Sequence, residues 1–139
     1  MPPKARTRGS RLPTFPPIMA ARTTKKLTAR TADKHQLYQW AVQEPDAEIS
    51  FISSNFKRLR GRPAVTLRED FCGTALSACA WVKKRAANTA VGVDLCADTL
   101  AWGKSHNLAA LTDEQRSRVT LLRQDVRTPT GPCKGVDIA

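Results

Sequence analysis

The sequence predicts an α/β fold, an incomplete doubly wound parallel sheet of about four strands preceded by two helices, and three observations predict it. Short apolar runs alternate with helical stretches from Pro63 onward, a pattern of β-α-β crossovers and not of hairpins. The first three runs each end in an acid, at Glu69, Asp94 and Asp125. A turn containing Gly73 follows the first of them. Crossovers of this kind are right-handed and bury the sheet on both faces.

The elements follow in order. Ala32 to Gln43 sets Leu37, Trp40 and Ala41 at helical spacing, which predicts a helix whose aromatic residues, Tyr38 and Trp40, pack in the core. Pro45 suits the first position of a second helix, with Asp46 and Glu48 in the turn where the helix dipole favours acids. Ile49, Ile52 and Phe56 form its apolar stripe. Both helices should cap the domain.

Past Gly61 and Pro63 the period changes. Residues 64–69 read as a strand, 74–85 as a helix, 89–94 as a second strand and 97–107 as a further helix. Trp81 and Trp102 fall at core positions of those helices, and His106 at the end of one. Thr112-Asp113-Glu114-Gln115 has the form of a capping box, which opens a short helix when the Thr and Gln side chains satisfy each other's backbone N–H groups. Val119 to Leu122 reads as a third strand, and Val136 to Ala139 begins a fourth.

Charge separates the chain into two parts. Residues 1–30 hold 8 of the 23 basic residues and no acid, whereas the remainder sets 15 bases against all 12 acids. Residues 1–31, rich in Pro, Arg, Lys and Thr without apolar periodicity, are expected to be a disordered basic tail. Its readings are a solvated tail, an arm for weak contact with RNA or another polyanion, a mitochondrial-type presequence, or sequence upstream of a start at Met19. Five prolines between Pro2 and Pro17 oppose the helix a presequence needs. Residues 32–139 are expected to be the N-terminal part of one domain, large enough to bury a core.

Cys72, Cys79, Cys96 and Cys133 form no C-x-x-C pair, and with His35 and His106 they make no zinc-type spacing. No metal is expected, and a reducing cytoplasm fits. No apolar run approaches the roughly 18 residues that a membrane span requires. The oligomeric state leaves no mark in the sequence.

Ligands of doubly wound sheets bind outside the carboxyl ends of the strands, where strand order reverses. A dinucleotide would want G-x-G-x-x-G after the first strand, but Glu69-Asp70-Phe71-Cys72-Gly73-Thr74-Ala75 offers one glycine and two acids. Those charges suit a ligand that is cationic here and has hydroxyl groups further along. Cys72 lacks a neighbouring His and sits among acids, so packing is a better reading for it than nucleophilic attack.

From about Pro63 to the end, these motifs resemble the class I, Rossmann-like methyltransferases that use S-adenosylmethionine. Glu69 to Ala75 is similar to the family's first motif in the variant form E-D-F-C-G-T, with Phe71 and Ala75 where glycine is common. Gly92-Val93-Asp94 looks like the second motif and Gln124-Asp125-Val126 the third. The spelling is similar to that of a bacterial subgroup. The resemblance implies a cofactor-binding site in which Glu69, Phe71, Cys72 and Gly73 meet the methionine moiety, Asp94 the ribose diol and Asp125 the adenine amino group. It implies a further half of the domain, which places the methyl acceptor, so that this stretch alone should be catalytically weak. The acceptor is open among RNA, protein and small molecules. Two rival readings remain: a nucleotide-binding domain without transferase activity, and a truncated, non-functional product whose tail holds polyanions. Each acid also has a plainer reading. Glu69 could pair with Arg68 or Arg123, Asp94 could cap a helix, and Asp125 could open a turn.

Overall fold

A computed structural model describes Thr28 and residues 30–139. The expected basic tail lies outside the described residues apart from its last few positions. Ala32–Ala139 forms one compact unit.

Two helices lead. In α1, Lys34–Val42, the Asp33 side chain caps the first turn by accepting the His35 and Gln36 N–H groups. α2, Pro45–Arg60, opens on the proline and its two acids and closes on Gly61, whose left-handed φ of 70° lets its N–H return to the Lys57 carbonyl. Ile49 is buried, with Ile52 and Phe56 against the core beside it. α1 departs from expectation: it buries no residue, and Tyr38 and Trp40 are 62% and 66% exposed. Leu37 and Val42 are exposed as well. α1 is held to the rest by polar bonds instead, Trp102 Nε1 donating to Asp33 at 2.7 Å and Gln39 Nε2 to Thr74 Oγ1 at 2.5 Å.

The sheet is parallel, in the order β1 (Thr66–Asp70), β2 (Thr89–Asp94), β3 (Val119–Arg123). α3 (Leu76–Lys84) connects the first pair. α4 (Ala97–Gly103), a π-helical turn over Lys104–Leu108 and α5 (Asp113–Ser117) connect the second. The capping box at Thr112 and Gln115 is present. The expected fourth strand is reduced to one parallel bridge, Leu67 to Ile138, with Arg68 N–H donating to the Ile138 carbonyl at 2.8 Å. Asp137 fixes this segment, its carboxylate accepting the Val65 and Thr66 N–H groups and pairing with Arg62 at 2.6 Å. The bridge lies on the side of β1 away from β2. Strand order therefore reverses at β1, which puts the crevice of the fold beyond that strand's carboxyl end.

Alternation along the strands splits the sheet into two faces. Leu67, Ala90 and Leu121 join the larger core with Ile49, Trp81 and Val82 from the helices. Trp81 is fully buried, its Nε1 donating to the Val65 carbonyl. The second face carries Val91, Val93 and Leu122 under Val126 and Cys133 from the segment after β3. Arg68 also sits there, bidentate on Asp70 at 2.7 Å and donating to the Val126 and Cys133 carbonyls. No helix among the described residues is long and apolar enough to cross a membrane.

Candidate functional site

The loop after β1 is shaped by left-handed backbone. Phe71, Gly73 and Ala75 have φ of 56°, 54° and 58°. Only the middle one is glycine, so two residues with side chains adopt the conformation that glycine takes without strain. Thr74 and Ala75 are buried beneath the loop, whereas the Phe71 ring is 76% exposed. Strain of this kind persists where surrounding structure enforces it, and it concentrates at ligand sites. Phe71→Gly should raise unfolding free energy by about 0.5 to 1 kcal/mol, the left-handed penalty of roughly 1 to 2 kcal/mol less the added entropy of an unfolded glycine. Urea titration at unchanged m-value checks it; a fall in stability would mean the ring supports the loop.

Each sequence-predicted acid has a defined place. Glu69 extends from β1 toward α3 and accepts the Ala78 N–H at 3.0 Å. That satisfies a first-turn donor which Ala75, the helix's own cap position, cannot reach with a side chain. It pairs with neither Arg68 nor Arg123. Burial pushes its pKa up from 4.5 to about 7 against the lowering pull of the Ala78 N–H, and the negative charges of Glu48 and Asp94 push the same way. The folded state thus holds this proton more tightly than the unfolded chain. Its contribution to stability is complete below about pH 4.5 and is lost as pH rises through about 7.

Asp94 is the hinge pin between loop and sheet. One carboxylate oxygen accepts the Gly73 N–H and the other the Cys96 N–H, both at 2.8 Å. Asp125 accepts the Arg127 backbone N–H at 2.9 Å and three hydrogen bonds from its guanidinium, the shortest at 2.5 Å, and the ion pair draws its pKa down to about 2. Glu69 therefore holds the first turn of α3, and Asp94 holds the loop that leads into it. Asp125 closes its own turn one strand away, beside Gln124, whose N–H donates to the Asp94 carbonyl.

Register orders the three acids. Glu69 lies opposite Gly92 and Asp94 opposite Arg123, so each acid stands two residues beyond the last. With about 3.3 Å per residue and 4.8 Å between strands, successive steps are roughly 8 Å. An elongated ligand suits that diagonal better than a compact one.

Cys72 turns inward. Its side chain is buried against the Cα of Gly92, where a Cβ would come within 2.9 Å of the sulfur, and burial pushes the thiol pKa far up. Gly73 leaves its Cβ position open, with only the Thr99 methyl at 3.9 Å. A cavity of 250 Å³ adjoins the loop, walled by Phe71, Gly73 and Thr99 and, from α1 and its end, by His35, Tyr38 and Gln43. The Gln43 Oε1 atom is buried with no hydrogen-bond partner among the described residues. Neither Gln43 nor Glu48 was among the sequence candidates. Glu48 read as an acid serving the α2 dipole, and nothing local to Gln43 signals that it reaches residues 30 positions later. Among the described residues no group of three or more His, Cys, Asp or Glu could hold a metal ion.

No family model and no curated protein matches the chain. Solved structures do resemble it. The plantazolicin methyltransferase BpumL, in complex with a pentazolic desmethylPZN analogue and SAH, aligns at TM-score 0.57 and 13% identity, over 75% of this chain and 38% of its own. CalS10, a SAM-bound amino pentose methyltransferase from Micromonospora echinaspora, aligns at 0.53 and 17% identity, over 81% of this chain and 41% of its own. The glycopeptide N-methyltransferase MtfA, complexed with sinefungin, aligns at 0.50 and 17% identity, over 66% of this chain and 34% of its own. The chain spans about two fifths or less of the length of these chains. They share its fold, a Rossmann-like α/β fold.

Proposed function

We propose that residues 32–139 are the cofactor-binding part of an S-adenosylmethionine-dependent methyltransferase domain, with residues 1–31 a basic tail. One observation carries this reading: the buried Glu69 carboxylate at the reversal of strand order has acids and no Lys or Arg for charged neighbours among the described residues. Glu48 and Asp94 are those neighbours, and Gln43, whose Oε1 is buried without a partner among the described residues, is one of the residues lining the cavity beside the loop. Such a set fits an ammonium group at one end and hydroxyls at Asp94. Glu69, Gln43 and the backbone around Phe71, Cys72 and Gly73 would hold the methionine moiety, Asp94 the ribose diol and Asp125 the adenine amino group. The cofactor supplies a methyl group on a sulfonium sulfur, open to direct displacement. What remains for the protein is orientation, which can contribute roughly 7 to 11 kcal/mol. The acceptor is unassigned, and the segment alone is expected to transfer methyl groups poorly. The cytoplasm is the proposed location.

A second reading has support too. Glu69 caps α3, Asp94 clamps the loop and Asp125 closes a turn, so all three could serve the scaffold alone. Calorimetric titration separates the readings. A saturable heat with S-adenosylmethionine is expected, and its absence in a folded sample would leave the scaffold reading. Because a bound ammonium favours the Glu69 carboxylate, binding releases a proton below its pKa of about 7. Affinity should therefore rise from about pH 5.5 to about 7 and then level off. Glu69→Gln keeps an acceptor for Ala78 N–H and should flatten that rise.

A further inference from the structure

We propose that the amino edge of the sheet, opposite the loop, is a docking groove for the sugar-phosphate backbone of single-stranded nucleic acid. The topology assembles it. α2 and α3 each run into the start of a parallel strand, so their carboxyl ends meet at the amino edge. Those ends carry Lys57, Arg58 and Arg60 on one helix and Lys83 and Lys84 on the other, followed by Arg85. None of the six is ion-paired among the described residues. The helix dipole accounts for a base or two in a last turn, but it does not bring two such turns to the walls of one cavity.

That cavity, of 340 Å³, is lined by Ser50, Ser53, Ser54, Lys57, Lys84 and Arg85. Lys84 Nζ stands 2.8 Å from Ser50 Oγ on its wall. A second cavity, of 460 Å³, shares Lys84 and runs past Lys83 and the apolar residues Cys79 and Ala80 toward the starts of α2 and α3, where Asp46 and Leu76 line it. Lys57, Lys84 and Lys83 thus follow one another along the walls of these two hollows. Lys, Arg and Ser side chains are the usual donors to phosphate oxygens, and an electropositive groove is how a single strand's backbone is tracked. Two adjoining hollows fit a chain of phosphates better than one isolated phosphate. A bilayer surface would want a protruding apolar face, whereas Lys57, Lys84 and three serines here line a recess together with Pro63 and Ala64. Glu48, Glu69 and Asp94 at the other edge repel the same polyanion, so it docks by one end of the molecule. The inference stands apart from the cofactor reading.

The test uses the full chain and a fluorescent uridine homopolymer of about 20 nucleotides, with polarisation read across a salt series. Lys57→Gln with Lys84→Gln should make the slope of log K against log salt shallower by about 1.4, at about 0.7 per single-strand phosphate contact. Lys57→Arg with Lys84→Arg should restore it. Lys34→Gln with Lys104→Gln removes the same charge from exposed positions outside the groove and should leave the slope unchanged, as the tail is common to every sample. An unchanged slope in the groove variant, or an equal fall in the control, overturns the proposal. So does a loss of binding to phosphatidylserine vesicles while the RNA slope holds, which would assign the groove to a lipid surface.

Discussion

Asp94→Ala is expected to weaken S-adenosylmethionine binding by about 10² to 10⁴, because two charge-assisted hydrogen bonds of roughly 1.5 to 3 kcal/mol each disappear with the carboxylate. The same change strips acceptors from the Gly73 and Cys96 N–H groups, now bound at 2.8 Å each. Gly73 N–H lies in the left-handed loop, so its loss should loosen the cradle as well as the ligand. Stability should fall by about 1 to 3 kcal/mol, the cost of leaving such donors unsatisfied. Asp94→Asn separates the two effects. Its amide keeps one oxygen for a loop N–H, yet it cannot accept from both hydroxyls of a diol while doing so. Calorimetric titration and urea unfolding on both variants check the expectation. A folded Asp94→Ala protein that binds the cofactor as the parent does would remove Asp94 from the site.

The legible parts of this fold are those decided locally. β2 spans Thr89–Asp94, as its residues predict, because a run of Ala, Val and Gly between a turn and an acid leaves little choice of register. Pro45 and the Thr112 capping box fix helix starts through their own backbone chemistry. What depends on distant partners was not legible. α1 leaves its large apolar residues exposed, and its ties to the domain are Asp33 to Trp102 and Gln39 to Thr74, 69 and 35 positions apart. The helix expected over 97–107 changes to a π turn at Lys104, where Asn107 reaches the Thr74 carbonyl and the His106 ring stacks on Trp102 at 4.0 Å. His106 therefore supports a ring and does more than end a helix. Within the candidate site, adjacent Glu69 and Asp70 look alike in sequence. Strand alternation sends one to the loop and α3 and the other to Arg68 on the opposite face.

Gly103→Ala should cost about 3 kcal/mol, the upper part of the range for overpacking, because the obstruction is backbone. A Cβ there would lie 2.5 Å from the Thr74 carbonyl oxygen, 2.9 Å from its carbon and 3.0 Å from its Cα. None of these atoms can rotate aside. Thr74 is also held by Gln39 on its hydroxyl and by Asn107 on that same carbonyl, so α4 must move instead. Displacing α4 carries Thr99 away from the cavity and pulls on Cys96, the residue that Asp94 holds at the helix start. Cofactor affinity should fall with stability even though Gly103 touches no ligand. Intrinsic helix preference predicts the reverse, since alanine in a helix is favoured over glycine by about 1 kcal/mol. Ala101→Gly, on the exposed side of the same helix, should show that ordinary cost of about 1 kcal/mol. Paired urea titrations decide the matter: if Gly103→Ala proves as stable as the parent or more so, α4 does not press on the loop and the coupling between them fails.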